Sequence, residues 1–172
     1  MLHTIATERR VNEPRQVREI AVPTRVRARR TLSRIDYEDG FVVDGDPLPG
    51  CACERWARAV IEDTPVTVRA KLLCSWWALG LKVGSPWSAR RVLGWQIRRA
   101  DYDSVLLGAG SRVGLSGELL FERGPEGMLF ATFARLDSPV AAAVWARTEA
   151  RHRAVVRSLL GHAARRCDRM QP

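Results

Sequence analysis

Lysine is nearly absent from this chain: of 28 basic residues only Lys71 and Lys82 are not arginine. An arginine bias beside abundant alanine and glycine is what a GC-rich genome produces as readily as selection for phosphate contacts does. Long apolar runs are missing too. The longest, Leu72-Leu73-Cys74-Ser75-Trp76-Trp77-Ala78-Leu79, falls well short of the roughly 18 to 20 residues that span a bilayer. No apolar core follows Met1 to Glu8, where Arg9 and Arg10 come instead, so no secretory signal is expected and a cytoplasmic setting with free thiols is. Cysteine is scarce at four residues, and Cys51-Ala-Cys53 lacks the two-residue gap of a zinc knuckle. No metal or other cofactor is therefore expected. A serine nucleophile elbow is absent, since Gly114-Leu115-Ser116-Gly117 has the wrong spacing. The glycines of Gly108 to Gly114 fall between strand-like segments and not ahead of a helix, so they read as a hairpin and not a phosphate cradle.

What remains is ordinary for one globular domain: 172 residues, 46% apolar and 27% charged, with a net charge of +9. Such a length sustains a core without metals or disulfides. The charge is unevenly spread. Residues 1 to 34 carry nine Arg against three Glu, residues 145 to 172 seven Arg against two acids, and the stretch between is slightly acidic. The ends could thus dock on nucleic acid or anionic lipid, while the centre carries the fold.

Residues 1–22, with little apolar periodicity and with Pro14, read as a basic mobile arm; 23–167 read as a single domain and 168–172 as a tail. Val26, Ala28 and Leu32 suggest an edge strand within Val22 to Ile35, and the acidic, turn-rich run from Ile35 to Asp46 reads as a solvated connection. It is not a helix-loop-helix calcium loop, because with Asp36 as the first position the twelfth is Pro47, where a glutamate is needed. Trp56, Ala57, Val60 and Ile61 mark a short amphipathic helix. Thr64-Pro65 is an N-cap and first-turn pair for a second helix that ends at Gly80 and whose apolar character predicts burial on more than one side. From Arg90 the period changes to two, and alternating segments around Trp95, Leu107, Leu119 and Phe130, joined by tight turns, predict an antiparallel meander. Ser138-Pro139 then opens a long final helix with Trp145, His152, Val156, Leu160 and Cys167 along one stripe.

The predicted class is α+β, a curved antiparallel sheet gripping a long C-terminal helix, with two shorter helices ahead of the main strands. This order, with Ile35-Asp36-Tyr37-Glu38-Asp39, Trp56-Ala57-Arg58-Ala59, Leu93-Gly94-Trp95 and His152-Arg153-Ala154-Val155-Val156, resembles the START-like or helix-grip superfamily of polyketide cyclases and lipid-transfer domains. More narrowly, it is similar to a bacterial family of unknown function placed there. The resemblance implies a hollow between sheet and helix that accepts apolar molecules, and no particular reaction.

Six tryptophans are the compositional oddity. Trp76, Trp95 and Trp145, with Leu107, Phe130 and Phe133 as neighbours, are the expected lining of such a hollow. His152 is the one titratable candidate, with Glu149 an i, i+3 neighbour able to orient its ring. It is either a histidine packed at the core edge, satisfied by Glu149 or a carbonyl, or an acid or base above a ligand. The leading expectation is a non-enzymatic domain that binds a small apolar or aromatic molecule. The alternatives are docking through the Arg-rich ends, and a cyclase- or hydrolase-like enzyme using His152.

Overall fold

The computed structural model describes residues 15–170. From the N-terminus the elements are β1 (Val17–Ile20), α1 (Thr24–Arg27), β2 (Tyr37–Asp44), α2 (Cys53–Ile61), α3 (Val66–Ala78), β3 (Arg91–Val92), β4 (Trp95–Ala100), β5 (Ser104–Ala109), β6 (Leu115–Arg123), β7 (Gly127–Leu136) and α4 (Pro139–Met170). Among these residues the strands form one antiparallel sheet in the order β1-β2-β7-β6-β5-β4-β3. No helix of the described residues is long and apolar enough to cross a membrane.

Turn chemistry sets the register of the meander. Leu93 and Gly94 link β3 to β4 with φ of 43° and 90°, the two positive angles that a two-residue hairpin of right-twisted strands requires. A leucine tolerates that conformation here because its side chain is buried and its N–H donates to Glu62 at 2.8 Å. Asp101 accepts from the N–H of Asp103 and of Ser104 and turns β4 into β5. Ahead of α4, the Ser138 hydroxyl accepts the Ala141 N–H at 3.0 Å, the expected cap.

The pleat sends alternate side chains to two faces. On one face, Leu115, Leu119 and Phe121 of β6 and Phe130 of β7 meet α2 and α4, with Trp56, Val60, Trp145, Val156 and Leu160 in the same core. Each such side chain contributes about 1.5–3 kcal/mol on burial. On the other face, Leu106, Leu120, Leu129 and Phe133 form a second core under Val22, Val26 and Leu32. Residues 21–36 therefore run as a strap across the back of the sheet, giving a helix layer, a sheet and a strap.

Three carboxylates of the sheet, Glu118 and Glu122 buried and Glu38 partly exposed, fasten the strap. Glu118, fully buried, accepts the Thr31 N–H at 2.9 Å and the Thr31 hydroxyl, and pairs with Arg98. Glu122 pairs with Arg29 at 2.8 Å, and Glu38 with Arg27.

Several expectations change. The Val17–Ile20 part of the supposed mobile arm is an edge strand, fixed by pairing with Ile20↔Gly40 through Val17↔Val43 of β2; residues 1–14 of the arm and 171–172 of the tail lie outside the described residues. Val22 to Ile35 is the strap with one helical turn, not a strand, and residues 37–44 are an interior strand, not a solvated connection. Thr64 does not cap α3: its hydroxyl donates to the Ile61 carbonyl at 3.2 Å. Nor is α3 buried on several sides, for only Leu72 is buried while Trp77 is 75% exposed.

Candidate ligand-binding site

An apolar cavity of about 90 Å³ lies between α4 and the sheet. β4 places Trp95 on its wall, β6 places Leu115 and Leu119, and β7 places Phe130 and Thr132. The helices supply Val60 and Ile61 from α2, Leu72 and Trp76 from α3, and Trp145, His152 and Val156 from α4. The i, i+4 spacing of His152 with Val156, and of Val156 with Leu160, puts one stripe of α4 over the strands. Trp76 meets Trp95 edge-on with ring centroids 5.6 Å apart, joining α3 to the sheet. Two wall residues carry unmet hydrogen-bonding capacity: the indole Nε1 of Trp95 and of Trp145 are both buried without a partner.

One end of the cavity is polar. His152 Nε2 lies 3.1 Å from Thr132 Oγ1 and 3.3 Å from Asp39 Oδ2. Asp39 is 5% exposed and accepts the Tyr37 hydroxyl at 2.7 Å, while Arg153 Nε donates to that hydroxyl oxygen at 3.1 Å. The register Asp39↔Thr132 brings the two strand residues side by side beneath the histidine. Burial pushes the Asp39 carboxyl up, but the hydrogen bond and charge of His152, with the hydroxyls of Tyr37 and Thr132, outweigh it and hold the group below the usual carboxylate range. Burial pushes the Tyr37 hydroxyl well above the ordinary phenol value, with Arg153 opposing and Asp39 adding to the rise. An ionised carboxylate thus braces the His152 ring.

Six of the eight expected residues line the cavity: Trp76, Trp95, Phe130, Phe133, Trp145 and His152. Leu107 is fully buried in the same core but behind the wall. Phe133 also borders the cavity, although its side chain packs in the core under the strap. Glu149 does not orient His152; it accepts from Arg153 at 2.7 Å, one helical turn on. Asp39 performs that role instead. Helix spacing finds partners on one helix only, and Asp39 comes from a strand, in the Tyr37-Glu38-Asp39 run that opens β2. Thiol chemistry finds no support at the buried cysteines, since burial pushes Cys53 up to about 12 and raises Cys167 as well.

No family model, no curated protein and no solved structure matches the chain.

Proposed function

We propose that this chain is a helix-grip domain of the START-like kind that holds a compact apolar or aromatic molecule between the sheet and α4. The observation that carries the proposal is the cavity itself, about 90 Å³ of apolar space bounded by Trp76, Trp95, Phe130, Trp145 and His152. A dry cavity of about 150 Å³ is known to accept benzene, so the occupant is small, one ring at most. α3 is the part of the wall with most freedom to adjust, because Leu72 is its only buried residue. The test is titration with a library of small apolar compounds, read by tryptophan fluorescence, on the parent and on Val156→Phe. The added ring should fill the space, cost about 1–3 kcal/mol of stability and weaken binding at least tenfold. Equal affinities in the two proteins, or no binding across the library, would overturn the proposal.

A second reading makes His152 an acid or base toward the bound molecule. It is favoured by the ring's place on the wall beside Thr132 and Asp39. His152→Gln should then abolish turnover of any converted ligand and leave its binding within a few-fold; turnover indifferent to that change would sink the reading.

A further inference from the structure

We infer that the outer face of α3, together with the loop that carries Trp87, is a docking surface for an anionic lipid bilayer. Two observations carry the inference, and neither depends on the cavity holding a ligand. The first is charge. Between Asp63 and Asp101 the chain has no acidic residue and seven basic ones, both lysines among them. Arg69, Lys71, Lys82 and Arg90 meet no acid among the described residues. The two carboxylates at the border are already engaged, Glu62 by Arg58 at 3.0 Å and Asp63 by Arg55 at 2.9 Å. The second is exposed apolar surface. Val66, Ala70, Leu73 and Trp77 follow at intervals of four, three and four, so they share one face of the helix. Leu72 and Trp76 serve the core, whereas Val66 is 69% exposed and Trp77 more so. Trp87 is 87% exposed and lines a groove of about 540 Å³ with Val66 and Leu73, which sets its loop beside the helix. At the far end of α3, Gly80 lies against Val113, another exposed apolar residue, and exposed Arg112 adjoins it.

Large apolar side chains in water, rimmed by charge of one sign, mark a contact surface, and this combination selects the partner. Indoles settle at the headgroup level of a bilayer, and Arg and Lys beside anionic headgroups. A single-stranded nucleic acid needs rings on which its bases stack, and Val66, Ala70 and Leu73 offer none. A second copy of the chain would set the four unpaired cations against four more.

The test sediments the full chain with vesicles of phosphatidylcholine, pure or mixed with phosphatidylglycerol. Binding should require the anionic lipid. It should weaken about tenfold or more both in the double variant Trp77→Ser, Trp87→Ser and in the double variant Lys71→Glu, Arg90→Glu. All four side chains are exposed, so both proteins should keep the thermal midpoint of the parent within a few degrees. Phospholipid with brominated acyl chains should quench the parent's tryptophan fluorescence, and quench the Trp77→Ser, Trp87→Ser protein far less. No partition to anionic vesicles overturns the inference. So does partition that is unchanged in either variant, which would assign the binding to other basic segments. A single-stranded RNA that displaces the parent from vesicles, and whose own binding is lost in the same two variants, would give the face to nucleic acid and overturn it as well. Should a variant fail to fold, quenching of the bound parent by brominated lipid, which reaches only a surface indole, still decides.

Discussion

Asp39 shows how much a single residue can depend on its partners. Alone, a carboxylate this buried would be expelled or protonated; with His152, Tyr37 and Thr132 around it, it stays ionised below the usual carboxylate range. The ionised form therefore stabilises the fold fully above an unfolded value of about 4, and the contribution fades as pH falls through the lower folded value. Asp39→Asn should lower the urea midpoint at about pH 7, and its gap from the parent should narrow between about pH 5 and about pH 2. A gap that is constant with pH would mean that shape and not charge matters at this position. The sequence made His152 visible through its place on an apolar helical stripe, and it made Trp76, Trp95 and Trp145 visible through size and phase. It hid Asp39, because the pairing Asp39↔Thr132 joins segments far apart in the chain and leaves no local periodicity.

At the scale of elements, legibility followed whether an element has one buried face or two. α2, α4 and the strands from β4 to β7 carry the expected periods, and the turns between them are written in Gly, Asp and Ser. β2 does not, since Phe41 and Val43 face the helices while Val42 faces the strap, so both faces are covered and the alternation vanishes. The strap was illegible for the same reason: Val26 and Leu32 are buried by a surface supplied from elsewhere. α3 errs in the opposite direction, an apolar helix that finds little to cover it. The strap depends on Glu118. Glu118→Ala should cost about 3 kcal/mol, at the lower end for breaking a buried pair because Arg98 keeps some access to water. Hydrogen exchange at the Thr31 amide, whose N–H donates to Glu118, should accelerate with it. Unchanged protection at Thr31 would show that the apolar contacts alone hold the strap.

For the molecule as a whole, the net charge of +9 is less available than it looks. Arg15 pairs with Asp168, Arg18 with Asp44 and Glu126, Arg29 with Glu122, and Arg34 with Asp36, so much of the described basic N-terminal segment is balanced within the fold. Docking of the Arg-rich ends on nucleic acid or anionic lipid thus turns on Arg9 and Arg10 together with α4. Truncation ahead of Arg15 leaves every described element in place and should keep the thermal midpoint within a few degrees. It should also remove any salt-dependent affinity for anionic vesicles or RNA that those two arginines provide; an affinity that survives would locate docking on α4 or on the outer face of α3. Truncation ahead of Thr24 deletes β1, bares the edge of β2 and should promote aggregation.

The strand order has one more consequence, which concerns how the protein is made. β2 lies between β1 and β7, so an early strand waits for the last one. Until residues 127–136 leave the ribosome, Phe41 and Val43 have no meander to join, and the strap has no sheet to cross. The meander from β4 to β7 can close on itself as it emerges, since its contacts are local. The N-terminal third must dock afterward, exposing its apolar groups for most of synthesis. A nascent chain that stalls before β7 would therefore present residues 17–44 as adhesive, unpaired strand, a natural target for chaperones and proteases.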